Sequence, residues 1–97
     1  MIIDYLSIGK ENAKTGKDLA RALHCDIRDI SAGVETERRK GLPIIASCDA
    51  NSPGYYIAES AEELNRYCDS LGRRANEIRR TRAALLEAAR EMQRQEG

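Results

Sequence analysis

The second half of the chain contains a long apolar heptad pattern, and this pattern restricts the possible folds more than any other feature. Between Leu64 and Met92, apolar side chains recur at alternating intervals of four and three residues. Such spacing places them along one side of a helix. The d positions of the heptad are Leu64, Leu71, Ile78, Leu85 and Met92. We therefore predict one long C-terminal helix, beginning at the capping-box pattern Ser60–Glu63.

The heptad seam predicts a homodimer, because an isolated helix with an uncovered apolar side is marginally stable. The a positions are Cys68, Ala75, Arg82 and Ala89, which are small or charged. In a parallel pair, Arg82 would face its own copy, so we expect an antiparallel arrangement or another one unlike a parallel zipper. The alternative is a monomer whose helix folds back onto its own domain. Residues 59–97 are thus predicted to be a dimerisation or partner-binding element.

The first half of the chain predicts two helices and a β-hairpin, which form one domain over residues 1–58. Capping patterns at Thr15–Asp18 and Asp26–Asp29 mark two helix starts, and Gly41 followed by Pro43 ends the second helix. Short strands are expected at residues 43–47 and 55–57, joined by a turn-rich loop. The expected core residues are Leu23, Cys25, Ile30 and Val34, and Met1–Ile8 is expected to form one short helix or strand. The fold class is mostly α with a small β-hairpin.

The order helix, tight turn, helix, hairpin resembles the winged helix-turn-helix domains of small bacterial and phage regulators. Leu19-Ala20 resembles the start of their first helix, Gly41-Leu42-Pro43-Ile44 the opening of their wing, and Gly54-Tyr55-Tyr56-Ile57 the returning wing strand. This resemblance implies binding of double-stranded DNA in gene regulation, through the second helix. The residues implied for base edges are Arg28, Ser31, Ala32, Glu35 and Arg38, and those implied for phosphate are Lys17 and Arg39.

Several residues depart from that pattern and keep a second function open. The chain has 16 Lys and Arg against 16 Asp and Glu, whereas DNA-binding domains usually carry a basic surface. His24 occupies a turn position usually held by Gly, and Glu37 one usually held by an apolar residue. The expected wing loop contains Asp49 and no Lys or Arg. The charges on the second helix could also be an ordinary solvated face. The alternative function is a small phage-encoded protein-binding inhibitor, similar to anti-CRISPR proteins, that occupies a host protein complex.

A cluster of arginines in the C-terminal segment is a second basic feature. It comprises Arg73, Arg74, Arg79, Arg80 and Arg82, with Glu77 as the one carboxylate among them. One interpretation is a solvated helix face, or Arg stems that cover an apolar groove. The other is a contact with nucleic acid or with an acidic partner.

The remaining residue types argue against catalysis, metal binding and membrane insertion. Cys25, Cys48 and Cys68 include no C-x-x-C pair, so we expect reduced, partly buried thiols and no metal. His24 beside Cys25 is a weak basis for a zinc site, since no second ligand pair is present. We expect no enzyme activity and no cofactor. No apolar run is long enough to span a bilayer, and no signal-peptide pattern opens the chain, so we predict a cytoplasmic location.

Overall fold

The helix starts that the sequence predicts are present in the computed structural model, which describes all 97 residues. The helices are α1 (Gly16–Leu23), α2 (Ile27–Arg39) and α3 (Ala61–Glu96), and the strands are β1 (Ile44–Ser47) and β2 (Gly54–Ile57). Two short 3₁₀ turns, Ile2–Tyr5 and Lys10–Asn12, precede them. The fold is therefore mostly helical with a two-stranded antiparallel hairpin and a long C-terminal helix, as expected. The chain divides into two compact units, Met1–Leu64 and Asn65–Gly97.

Local capping sets the limits of α1 and α2. The Thr15 hydroxyl accepts a hydrogen bond from the Asp18 backbone N–H at 3.1 Å, which satisfies one of the free N–H groups of the first turn. Asp26 and Asp29 form a reciprocal capping box at the start of α2. Between the helices, His24 adopts the left-handed conformation with φ of 54°. This conformation ends α1 and turns the chain directly into α2.

The core of Met1–Leu64 includes residues that the sequence pattern did not indicate. Ile2 and Leu6, from the segment before α1, are buried against α1 and α2 residues and Ile44. The core cluster consists of Ile2, Leu6, Leu19, Ala20, Ile30, Val34 and Ile44. The expectation for Cys25 was wrong, because this residue is exposed. It follows the left-handed residue His24, where the chain turns at the surface.

The β-hairpin is joined to the N-terminal segment through the second edge of β2. β1 pairs with β2 in antiparallel register, from Ile44 opposite Ile57 to Ser47 opposite Gly54. On its other edge, β2 forms isolated bridges in which Tyr55 pairs with Lys14, and Ile57 with Ile8. Both edges of β2 therefore make backbone hydrogen bonds, which leaves β1 as the open edge of the hairpin.

Glu37 fixes the N-terminal segment to α2. Its carboxylate accepts hydrogen bonds from the backbone N–H groups of Ile2, at 2.7 Å, and Ile3, at 2.8 Å. Only 5% of Glu37 is exposed, and it is the one buried charged residue of the chain. These two bonds satisfy a carboxylate that would otherwise be costly to bury. The family resemblance places an apolar residue here, and the N-terminal contact explains why this chain can hold a carboxylate instead.

Gly33, in the middle of α2, allows Ile2 to approach the helix closely. A Cβ atom at this position would overlap the Ile2 Cδ1 atom. Glycine within a helix costs about 1 kcal/mol relative to alanine. In the wild-type background, we expect Gly33→Ala to recover little of this stability, because the Ile2 side chain must shift to make room for the new Cβ atom.

We therefore predict that Gly33→Ala is more favourable by about 1 kcal/mol when Ile2 is also changed to Val, which removes Cδ1. Urea unfolding of the wild type, both single variants and the double variant gives this coupling energy. Additive effects of the two substitutions would contradict the close packing.

Helix α3 is continuous over 36 residues and passes through Gly72 without a break, although glycine weakens a helix interior. The Ser60 hydroxyl accepts from the Glu63 N–H at 3.1 Å, which is half of the predicted capping box. The Glu63 carboxylate bonds instead to the Glu59 N–H at 2.8 Å and the Tyr56 hydroxyl at 3.2 Å. It therefore ties β2 to the start of α3. No helix of the chain has both the length and the apolar character that crossing a bilayer requires.

Candidate nucleic-acid interface

One exposed face of α2 collects five of the residues selected for DNA contact. They share helical spacings of three and four residues, which align them along one side of the helix. These residues are Arg28, Ser31, Ala32, Glu35 and Arg39, and none of them belongs to the buried core; together they are called the α2 face below. Ile30 and Val34 lie on the buried side. The α2 face thus has an arginine near each end and small side chains between them.

Arg38 does not belong to the α2 face, although its helical position predicts an outward direction. It is half-buried, and its Nε donates a hydrogen bond to the Ile44 carbonyl oxygen at 2.9 Å. This bond connects the end of α2 to the start of β1. Arg38 therefore helps to hold the hairpin against the helix, and its role in base contact stays a prediction.

The charges of the α2 face are unevenly neutralised. Arg39 forms an ion pair with Glu35 at 3.3 Å, between two exposed side chains. Such pairs contribute little to stability and exchange readily with other partners. Arg28, at the first turn of α2, forms no ion pair. Lys17 is exposed on α1. Arg28 is thus the arginine of the α2 face whose charge no carboxylate neutralises.

The hairpin loop carries an ion pair that the sequence pattern did not indicate. Lys10 Nζ lies 2.7 Å from Asp49 Oδ2, and Asp49 Oδ1 accepts from the Asn51 N–H at 2.9 Å. The hydrogen bond and charge of Lys10, with the Asn51 N–H, hold the pKa of Asp49 below its ordinary value. Folding therefore brings a cation to this loop, where Asp49 neutralises it. The loop is ordered by these contacts but presents no unpaired positive charge.

The cysteines form neither a metal centre nor a buried cluster. Cys25, Cys48 and Cys68 are all free and exposed. The expectation that the thiols are partly buried was wrong. No set of three His, Cys, Asp or Glu side chains is arranged to hold a metal ion.

The arginine cluster of α3 extends around the helix. The Arg80 guanidinium pairs with the Glu77 carboxylate at 2.6 Å, and Arg79 donates to the Asn76 side-chain oxygen at 2.8 Å. Arg73, Arg74 and Arg82 make no ion pair within the chain. Asn65–Gly97 contains eight arginines and five carboxylates, whereas Met1–Leu64 contains eight Lys or Arg and eleven Asp or Glu. The C-terminal unit therefore has a net positive charge, and Met1–Leu64 has a net negative charge.

The predicted dimer seam is mostly uncovered. Leu64 is half-buried and belongs to the first unit. The other four seam residues are exposed, and they are Leu71, Ile78, Leu85 and Met92. An apolar strip of this length on a single helix is typical of surfaces that bind a partner.

Comparisons with protein family models, with characterised proteins and with solved structures find no match to this chain.

Proposed function

We propose that Met1–Leu64 is a winged helix-turn-helix domain that binds duplex DNA, as part of a DNA-binding regulatory protein. The observation that carries this proposal is the α2 face. It is free of buried contacts, and Ser31 and Ala32 at its centre are small. The major groove of B-DNA admits an α-helix, and small central side chains let the helix backbone approach the bases.

Three residues of the α2 face and Lys17 of α1 receive roles from their positions and chemistry. Arg28 has a planar guanidinium without an ion-pair partner, which suits a bidentate contact with guanine. Arg39 exchanges its contact with Glu35 for a phosphate, and Lys17 on α1 binds phosphate as a point charge. The Ser31 hydroxyl can donate a hydrogen bond to a base edge or accept one from it.

Arg28→Ala is expected to weaken duplex binding by about 1–3 kcal/mol, because a bidentate base contact contributes about that much. Removing Arg39, which is assigned to a phosphate, should also lower the salt dependence of binding by about one unit of slope. The measurement is fluorescence anisotropy of a labelled random-sequence duplex pool, and of sequences enriched from it, at several salt concentrations.

Arg90→Ala is the matched control, since it removes the same charge from an exposed α3 residue that is already paired with Glu87. Equal losses for Arg28→Ala and Arg90→Ala would contradict a contact through the α2 face. Arg38→Ala is unsuitable as a probe of base contact, because that side chain holds β1.

A second candidate function, protein binding, is favoured by the charge distribution. Met1–Leu64 has more carboxylates than cations, which opposes approach to a polyanion. The exposed apolar strip of α3 is a surface that proteins, rather than DNA, usually cover. If the chain acts by occupying a host protein complex, charge reversal at Arg74 and Arg82, which border the apolar strip of α3, abolishes activity and Arg28→Ala leaves it intact.

A further inference from the structure

The exposed apolar strip of α3 lies between arginines. Leu71, Ile78, Leu85 and Met92 follow one another at seven-residue intervals, and Ile78 and Leu85 are more than 60% exposed. Arg74 and Arg82 line the same shallow groove as Ile78 and Leu85. We call this surface the α3 strip. The α3 strip therefore combines apolar side chains, which a partner can bury, with guanidinium groups, which can bind carboxylates.

The carboxylates of this part of the helix are bonded to arginines other than Arg74 and Arg82. Each accepts a hydrogen bond from the arginine three residues further along. The pairs are Glu77–Arg80 at 2.6 Å, Glu87–Arg90 at 2.9 Å and Glu91–Arg94 at 2.7 Å. Glu77 borders the groove, but its Oε1 is held by Arg80. These three glutamates are therefore paired with other arginines, and Arg74 and Arg82 form no ion pair within the chain.

We propose that the α3 strip binds an acidic amphipathic helix of another protein, one with an apolar seam flanked by carboxylates. This proposal deepens the second candidate function and is independent of DNA contact by Met1–Leu64. Apolar seam residues of the partner cover Ile78 and Leu85, and its Asp or Glu side chains pair with Arg74 and Arg82. Arginine matches a carboxylate with two parallel hydrogen bonds, so these pairs also set the register of the partner helix.

Charge argues against a second copy as the occupant. A second α3 strip would bring another Arg74 and another Arg82, without an unpaired carboxylate to meet them. Arg82 stands at an a position within the seam, where it would lose water without gaining a counter-charge. In a parallel pair, like charges would also meet across the interface and select against that pairing. An antiparallel pair separates the two copies of Arg82, but the second α3 strip still supplies no carboxylate to either of them. An acidic helix supplies the carboxylates that a second copy lacks.

The test uses two synthetic peptides of about four heptads, which exceeds the stretch of just over three heptads from Leu71 to Met92. Both carry Leu at a and d, and they differ only in Glu or Lys at e and g. Binding to the full chain is measured by fluorescence anisotropy. The Glu peptide is expected to bind at least tenfold more tightly than the Lys peptide. The double variant Arg74→Glu, Arg82→Glu should reverse this preference, and Ile78→Asp should abolish binding of both peptides.

The charge-matched control is the double variant Arg73→Glu, Arg90→Glu, whose residues lie away from the α3 strip. It should retain the preference for the Glu peptide, and so should Arg28→Ala, whatever that variant does to DNA binding. Circular dichroism verifies that each variant keeps its helix content. The proposal would be overturned if the two peptides bind equally tightly or if neither binds. It would also be overturned if the chain forms a dimer without peptide and Ile78→Asp dissociates that dimer.

Discussion

Gly54→Ala is expected to destabilise Met1–Leu64 by about 3 kcal/mol or more, because it combines backbone strain with a steric overlap. Gly54 has a φ of 115°, a region that is essentially restricted to glycine. An added Cβ atom would also overlap the Lys14 carbonyl group and approach the Thr15 nitrogen. These are backbone atoms, so no side-chain rotation can relieve the overlap.

The substitution at Gly54 would also disturb the backbone hydrogen bonds next to it. The Tyr55 N–H donates to the Lys14 carbonyl at 2.7 Å, and the Lys14 N–H to the Tyr55 carbonyl at 2.9 Å. Separating these two backbones would break both hydrogen bonds. A unit of this size has a total stability of about 3–10 kcal/mol, so Gly54→Ala should remove about a third or more of that stability.

Gly41→Ala is the matched control for Gly54→Ala. Gly41 also has a positive φ, of 90°, but no atom lies near the position of its missing Cβ. It therefore measures the conformational cost alone, which we expect to be about 1–2 kcal/mol. Urea unfolding followed by circular dichroism gives both values. Equal effects at Gly41 and Gly54 would show that the contact between β2 and Lys14 is not close.

Glu37→Ala is expected to destabilise the same unit by about 3 kcal/mol, because two buried N–H groups lose a charged acceptor. It also leaves a cavity beneath the segment that carries Ile2. Glu37→Gln should cost less, since its side-chain oxygen can still accept one of the two hydrogen bonds. Glu37→Leu restores apolar volume but leaves both N–H groups without a partner, so it should not recover the stability.

Glu35→Ala is the matched control for Glu37→Ala, since both residues are glutamates of α2. Glu35 is exposed and pairs only with exposed Arg39, so we expect a change below about 0.5 kcal/mol. Hydrogen exchange at the Ile3 amide provides a second measurement. In Glu37→Ala this amide should lose its protection, and retained protection would contradict its hydrogen bond to the Glu37 carboxylate.

The features that the sequence predicted well depend on residues close together in the chain. The caps at Thr15 and Asp26 involve partners three residues away. The end of α2 and the position of the hairpin follow from Gly41, Pro43 and the turn-rich loop. Each is decided by local backbone chemistry, which the order of residue types expresses directly.

The features that the sequence did not predict depend on the N-terminal segment and on side chains that bind backbone groups. The burial of Glu37 could not be predicted, because the N–H groups that satisfy its carboxylate belong to Ile2 and Ile3. Backbone donors leave no signature in a sequence. The same reason accounts for Arg38, which bonds to a carbonyl oxygen of β1, and Lys10 reaches Asp49 only after the hairpin has formed.

The sequence predicted the candidate site only in part, because it does not show which backbone groups a side chain will bind. Helical periodicity alone aligns Arg28, Ser31, Ala32, Glu35 and Arg39, and the structure keeps all five out of the core. Arg38 satisfies a similar spacing, but its long side chain bends back to the hairpin. Periodicity fixes the direction of a Cα–Cβ bond, whereas the position of a guanidinium depends on the acceptors that the fold places within reach.

The most direct test of the central claim is an NMR titration of the ¹⁵N-labelled full chain with a duplex enriched from a random-sequence pool. Contact through the α2 face predicts that the largest shifts fall on the amides of Arg28, Ser31, Ala32, Glu35 and Arg39. Amides of the buried side of α2, such as Ile30 and Val34, should shift less. A saturating duplex that leaves the α2 face unchanged, or that shifts only amides of Asn65–Gly97, would contradict the proposed DNA-binding role of α2.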